Sequence, residues 1–181
     1  MGRLLFLAVP GTIAANLFAT LLLTKASIGN YPGGDALTAF HEIYSINSPA
    51  PPHVHISNLA AQTGASLFLQ LNAPPQYQIH ERTTSWIYNK TEKLSTASLS
   101  SSTSPFTHLI SEISPDEDFT LEKSWRTVKV IQGFDRWTLD KDLLKPARYL
   151  SGNLNLDLLK RFVGILKMAK SEKLWILERK D

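Results

Sequence analysis

The 181-residue chain contains no cysteine. That excludes structural disulfides and thiolate metal sites, and it leaves the redox compartment open while suiting an oxidising lumen, where a stray thiol is a liability. Charge of one sign is also scarce. Nineteen basic and sixteen acidic residues leave a net charge of only +3, too mild to argue for nucleic acid. No Ser–His–Asp arrangement, no glycine-rich nucleotide signature and no internal repeat is present. The length suffices for one domain with a real core and not for two large ones.

Charge is missing altogether from Leu4 to Leu23, which reads LLFLAVPGTIAANLFATLLL. As a helix rising about 1.5 Å per residue, this run covers the roughly 30 Å of a bilayer's hydrocarbon core. Arg3 and Lys25 bracket it, with heads able to reach the two interfaces. Pro10-Gly11 and Asn16 suit a helix with neighbours better than a lone anchor, because freed carbonyls and a polar amide need partners in lipid. A transmembrane helix is the preferred reading. A secretory signal peptide, with Ala26-Ser27 near its cut, and a buried soluble helix are the alternatives. One basic residue on each side leaves orientation undecided.

Asn30-Tyr31-Pro32-Gly33-Gly34 follows. A phosphate cradle would need a lysine and a hydroxyl after its glycines, and Asp35 stands there instead. The expectation is a turn by which the chain leaves the membrane, with Asp35 capping or charge-complementing a surface helix through Ala36, Leu37, Phe40, Ile43 and Tyr44. Ser48–Pro52 reads as a proline-rich connector. His53–Ser57 alternates like a strand, Ser57 or Asn58 caps a helix running to about Gln70, and Tyr77–His80 is a second strand. That unit predicts a small parallel sheet covered by helices. Residues 91–105 are read as a serine-rich loop. Phe106–Ile113, Trp125–Gln132 and Leu174–Leu177 are further strands, with Thr127, Lys129 and Gln132 pointing outward and Leu174–Leu177 in the sheet's interior. From Asn153 the spacing of Leu158, Leu159, Phe162, Leu166 and Ala169 predicts a basic amphipathic helix. The expected organisation is a membrane helix over 1–29, an exit turn, surface helix and connector over 30–52, and a lumenal α/β domain over 53–181.

The chemistry-bearing residues are few. His53 and His55 share a strand face, and a metal would need a third ligand such as His80 or Glu81; the plainer reading is two polar strand residues, and no metal is expected. Asp35 and Glu42 lie two turns apart and could pair as acid and base, although capping and solvation explain them more simply. Asn89-Lys90-Thr91 is an N-glycosylation acceptor.

Asn30, Tyr31, Pro32, Gly33 and Gly34 with Ala36, Leu37 and His41, then His55-Ile56 and Ala60-Ala61-Gln62-Thr63-Gly64 through Phe68-Leu69-Gln70, resemble the C-terminal end of a known enzyme family. It comprises the endoplasmic-reticulum α-1,6-mannosyltransferases of glycosyltransferase family 22, and the text is fungal-like. Thr107–Ile110 with Glu112, and Lys173–Arg179, are similar to later landmarks; the match is dense over residues 30–70 and patchy afterwards. The resemblance implies a polytopic enzyme of the GT-C architecture in the endoplasmic-reticulum membrane, with its C-terminal domain lumenal. It implies dolichyl phosphate mannose as donor substrate, a dolichol-linked oligosaccharide as acceptor, transfer by inversion, and no cofactor. Expected partners are membrane lipid, the acceptor glycan and the remaining transmembrane helices, not nucleic acid. Members usually carry an acid just after the His-Ile pair, where this chain has Ser57. The family's catalytic acids lie in an upstream lumenal loop, so no catalytic residue is expected here, and the chain is expected to be a C-terminal fragment inactive alone. The motif positions Asn30–Gly34, His41, His55, Gln62, Thr63 and Gly64 have no role assigned by the resemblance. The competing reading is a membrane-anchored or secreted binding module without enzymatic activity.

Overall fold

The uncharged leucine- and alanine-rich run forms one helix, α1 (Gly2–Ile28), with Pro10 inside it. The computed structural model describes residues 2–44, 51–71, 73, 85–140 and 165–180. The apolar helical stretch beginning at Ala8 contains a window of mean hydropathy 1.3 with no residue buried, long and apolar enough by length and composition to cross a membrane. Ile13, Leu17 and Leu21 are exposed along it. Two compact units result: Met1–Gly29 with Phe134–Ser171, and Asn30–Gly133 with Glu172–Asp181. In the first, the Phe134 amide donates to the Gly29 carbonyl at 2.8 Å, and Lys167 pairs with Asp140.

The second unit is α/β. Its elements are α2 (Pro32–Ile43), β1 (His53–Ile56), α3 (Asn58–Gln62), a 3₁₀ turn at Leu67–Leu69, β2 (Ile87–Asn89), α4 (Thr96–Ser100), β3 (His108–Ser111) and α5 (Phe119–Ser124). The long strands β4 (Trp125–Leu139) and β5 (Leu166–Arg179) complete a five-stranded sheet in the order β2-β1-β3-β5-β4. β2, β1 and β3 are parallel, and β5 runs antiparallel to β3 with Leu109 opposite Leu177 and Ile110 opposite Ile176. Successive side chains on a strand point to opposite faces. One face therefore buries Val54, Ile56, Ile110, Leu174 and Ile176 against Ala36, Leu37 and Phe40 of α2 and against Trp86. The other buries Leu109 and Leu177 against Leu99, Phe106, Leu121 and Trp125. Burial on both faces is why Leu174–Leu177 reads as a continuous apolar run, interior as expected, and why all four residues of His108–Ser111 are buried.

Several expected elements differ. The helix predicted to reach Gln70 stops at Gln62, because Gly64 adopts φ +111° and the chain turns. The second parallel strand is β2; the predicted strand at Tyr77–His80 lies outside the described residues. The serine-rich stretch contains α4, capped by the Ser95 hydroxyl accepting from the Ser98 amide at 3.2 Å. Of the helix predicted from Asn153, residues 153–164 lie outside the described residues, and from Leu166 the chain is strand β5. There, pairing within the sheet overrides the helical spacing of Leu166 and Ala169. Thr127, Lys129 and Gln132 are exposed, as expected.

Candidate functional site

The two motifs interlock. The Gly33 amide donates to the Thr63 carbonyl at 3.1 Å and to its hydroxyl at 3.0 Å, and the Gly34 amide donates to the same carbonyl at 3.2 Å. Thr63 follows the last turn of α3, so the amide end of α2 meets the carbonyl end of α3, and opposite partial charges face each other. A Cβ on Gly33 would lie 1.9 Å from the Ala60 carbonyl oxygen; only glycine permits this approach. Gly64 closes the knot, with the Tyr31 ring and the Gly34 amide within 3.4 Å of where its own Cβ would stand. Asp35 was expected to cap or charge-complement α2; it stands in the first turn, where its charge complements the helix dipole, while the N-cap residue is Tyr31 with no side-chain bond and the amides are taken by Thr63. With those donors consumed, the glycine pair has nothing to offer a phosphate. Its role is packing. Among the described residues Gln62 donates its side-chain amide to the Asn58 side-chain oxygen at 3.2 Å.

His41 and His55 go to different places. His41 points into the aromatic cluster of α2 and β2, 2.7 Å from the Tyr88 hydroxyl and stacked on Trp86 with centroids 5.5 Å apart. His53 and His55 do share a face, both rings lying against Phe106 at 5.0 and 5.3 Å. Among the described residues no three metal-ligating side chains converge, and His80 and Glu81 lie outside them.

His55 lines a pocket of about 140 Å³ with Ser57, Asn58, Thr91, Lys93, Thr96, Ser111 and Glu112, floored by Leu94, Leu99, Leu109 and Leu121. Its position follows from topology. β1 ends before Ser57, β2 ends just before Lys90 and β3 ends at Ser111, so the pocket opens at the carboxyl ends of all three parallel strands. The first crossover leaves β1 toward β2 and the next returns past it to β3, which makes β1 the point where strand order reverses, the usual ligand crevice of an open α/β sheet. Lys93, on its rim, holds φ +62°, a conformation unfavourable for a side chain and common at ligand sites.

Three of the polar groups here are already bonded within the fold. His55 Nε2 donates to the Thr91 carbonyl at 3.0 Å, and burial pushes the imidazole below its ordinary value, with Glu112 pulling the other way. It is neutral near pH 7. Glu112 Oε2 accepts from the Leu59 amide at 2.8 Å, while the Ser57 hydroxyl faces the Ala60 amide. A carboxylate thus reaches the start of α3 from Glu112, the residue after β3. As members of one pocket, Asn58, Thr91, Lys93 and Thr96 escaped sequence reasoning because the order in which strands pair, not spacing along the chain, brings them together.

Burial also lowers His41, His53 and His108, the last to about 4 despite the nearby Glu178 carboxylate. The unfolded chain therefore takes up protons first as pH falls through about 6.5. Stability is complete above that value and is lost progressively down to about pH 4. His108 alone, 8% exposed and packed against Phe40 and Tyr44, accounts for roughly 2–3 kcal/mol at the acid limit. Melting temperature should fall steadily from pH 6.5 to 4.5, and His108→Gln should flatten that slope. A profile level over this range would contradict the assignment.

The chain is 30% identical over 167 residues to the Dol-P-Man:Man(7)GlcNAc(2)-PP-Dol alpha-1,6-mannosyltransferase of Drosophila melanogaster, an alignment covering 90% of this chain and 21% of that protein. The resemblance drawn from the motifs holds. The Saccharomyces cerevisiae protein of the same name is 36% identical over 64 residues, covering 35% of this chain and 12% of the relative. The chain thus spans about a fifth of the Drosophila mannosyltransferase's length and less of the yeast one. No family model and no solved structure matches it.

Proposed function

We propose that this chain forms part of a mannosyltransferase that moves mannose from dolichyl phosphate mannose to a dolichol-linked oligosaccharide in α-1,6 linkage during protein N-glycosylation. α1 spans the endoplasmic-reticulum membrane beside further transmembrane helices, and the α/β unit lies in the lumen. The observation that supports this reading is similarity to an α-1,6-mannosyltransferase along 90% of the chain. In the reaction, the acceptor's 6-hydroxyl oxygen bonds to mannose C1 as the bond from C1 to the phosphate oxygen breaks, and a base takes the hydroxyl proton. That base must stand within hydrogen-bond reach of the hydroxyl. His55 Nε2 bonds the Thr91 carbonyl and Glu112 Oε2 accepts from the Leu59 amide, so both side chains first hold the shape of the pocket. The pocket therefore binds and orients sugar, with hydroxyls and amides over an aliphatic floor, and the base comes from elsewhere in the enzyme. The same committed groups favour one rival, a lumenal glycan-binding module without transferase chemistry.

A chimera decides between them. Replacing the matching segment of the Drosophila relative by this chain, in cells lacking that activity, should restore a lipid-linked glycan one hexose heavier. A stable, membrane-inserted chimera that leaves the glycan unextended would leave the binding module standing.

Asn89 bears on location. It ends β2, partly exposed on an edge strand, and its side-chain oxygen accepts from the Thr91 amide at 2.7 Å. Expression in microsomes should add one glycan there, removed by endoglycosidase and absent from Asn89→Gln. Failure to modify Asn89, with the domain open to external protease, would reject the lumenal address.

A further inference from the structure

We infer that the turn at Ala65–Leu71 is a membrane-surface anchor, its apolar side chains seated in the lipid interface where α1 leaves the bilayer. The inference rests on reading α1 as membrane-spanning. Phe68 is 90% exposed and Leu67 69%, on a segment, ASLFLQL, that contains no charge. A soluble surface rarely spends large side chains this way. The chain's own geometry says what covers them. Tyr31 lies three residues beyond the end of α1, within about 10 Å of it along any backbone path. Its ring packs where a Gly64 side chain would stand, and Leu69 Cδ1 comes within 3.8 Å of the corresponding point on Gly34. The exposed turn is thereby tied to the residues that follow the helix. Tyr31, itself 56% exposed, is the amphipathic ring expected at a headgroup boundary.

The backbone is also prepared for a poorly hydrated place. The Ser66 amide donates to Gly64 at 2.7 Å, Leu69 to Ser66 at 3.2 Å and Gln70 to Leu67 at 3.1 Å, and Lys90 Nζ holds the Ala65 carbonyl. These internal bonds lower the cost of leaving water. An interfacial element of this kind sinks about 5–10 Å into the boundary.

The absence of cysteine makes the test clean. Single-cysteine variants Phe68→Cys, Leu17→Cys and Glu117→Cys of the whole chain are spin-labelled in phosphatidylcholine vesicles. Their collision rates with oxygen, which favours lipid, and with a water-soluble nickel chelate are then compared. The oxygen-to-nickel ratio at residue 68 should exceed that at residue 117 several-fold and approach the ratio at residue 17. A lipid-like label at 17 with a water-like one at 68 overturns the anchor and leaves the membrane helix intact. A water-like label at 17 removes the membrane helix itself. A label at 68 shielded from both reagents means a protein surface covers the turn, and also overturns the inference.

Discussion

Gly33→Ala should destabilise the α/β unit by more than about 3 kcal/mol, while Gly34→Ala, one residue away, should be neutral or slightly stabilising. At Gly33 the added methyl would lie 1.9 Å from the Ala60 carbonyl oxygen and 2.8 Å from its carbon. Those are backbone atoms with no rotamer to yield, so α2 and α3 must part. Overpacking a well-filled site typically costs about 1–3 kcal/mol, and here the bonds from Gly33 and Gly34 to Thr63 are lost as well. At Gly34 the nearest atom is 3.6 Å away, ordinary contact, and alanine's better helix propensity is worth up to about 1 kcal/mol. Gly64→Ala falls between them in mechanism. Its φ of +111° strains any side chain, and Gly34 N stands only 3.1 Å from the new atom. Chemical denaturation of the three variants in detergent should rank them in this way; equal losses at Gly33 and Gly34 would dismiss the close-approach argument.

The second large effect belongs to Arg179. Its guanidinium donates to three carbonyls, Phe106 at 2.8 Å and Ser101 and Leu99 at 3.0 Å, and stacks 4.8 Å from the centre of the Trp125 ring. Leu99 and Ser101 close α4, so one side chain from β5 satisfies the orphan acceptors of that short helix. Trp125 in turn donates its indole N–H to Ser100 at 2.9 Å. Arg179→Met keeps the aliphatic stem and strands all three acceptors. Hydrogen bonds to a charged group are worth about 1.5–3 kcal/mol each and do not add fully, so a loss near 3 kcal/mol is expected, with a melting temperature roughly 6–12 °C lower. Arg179→Lys should recover less than half of it, because an ammonium cannot reproduce the planar fork. Full recovery by lysine would mean that charge alone matters.

Much of the fold was legible where local pattern and final burial agree. The run before Lys25 is one helix, His53–Ile56 is a strand capped into α3 by Ser57, and Leu174–Leu177 lies inside the sheet. The illegible parts share a cause. The glycine pair reads as a simple turn, because nothing in the text says that Ala60, 27 positions on, presses against it. The Ser95–Ser104 stretch looks loop-like, and α4 exists there because Leu99 is buried and Arg179, 80 residues away, takes up its carbonyls. β2 is three residues long and gains its place from pairing with β1 and from the buried Trp86 beside it. Leu166–Lys170 has helical spacing but lies within β5, a neighbour of β3 and β4. The pocket follows the same rule. His55 and Glu112 stand out individually, but their meeting with Asn58, Thr91 and Lys93 depends on the order of β2, β1 and β3.

Whether that pocket receives sugar is best tested at its rim. Asn58 is exposed, lines the opening and accepts from Gln62 at the surface, so Asn58→Trp narrows the mouth without entering the core. In the transferase chimera, initial rates across a range of lipid-linked acceptor should show KM raised at least several-fold, with kcat and melting temperature unchanged. Unaltered KM with the tryptophan in place would contradict a sugar-facing pocket.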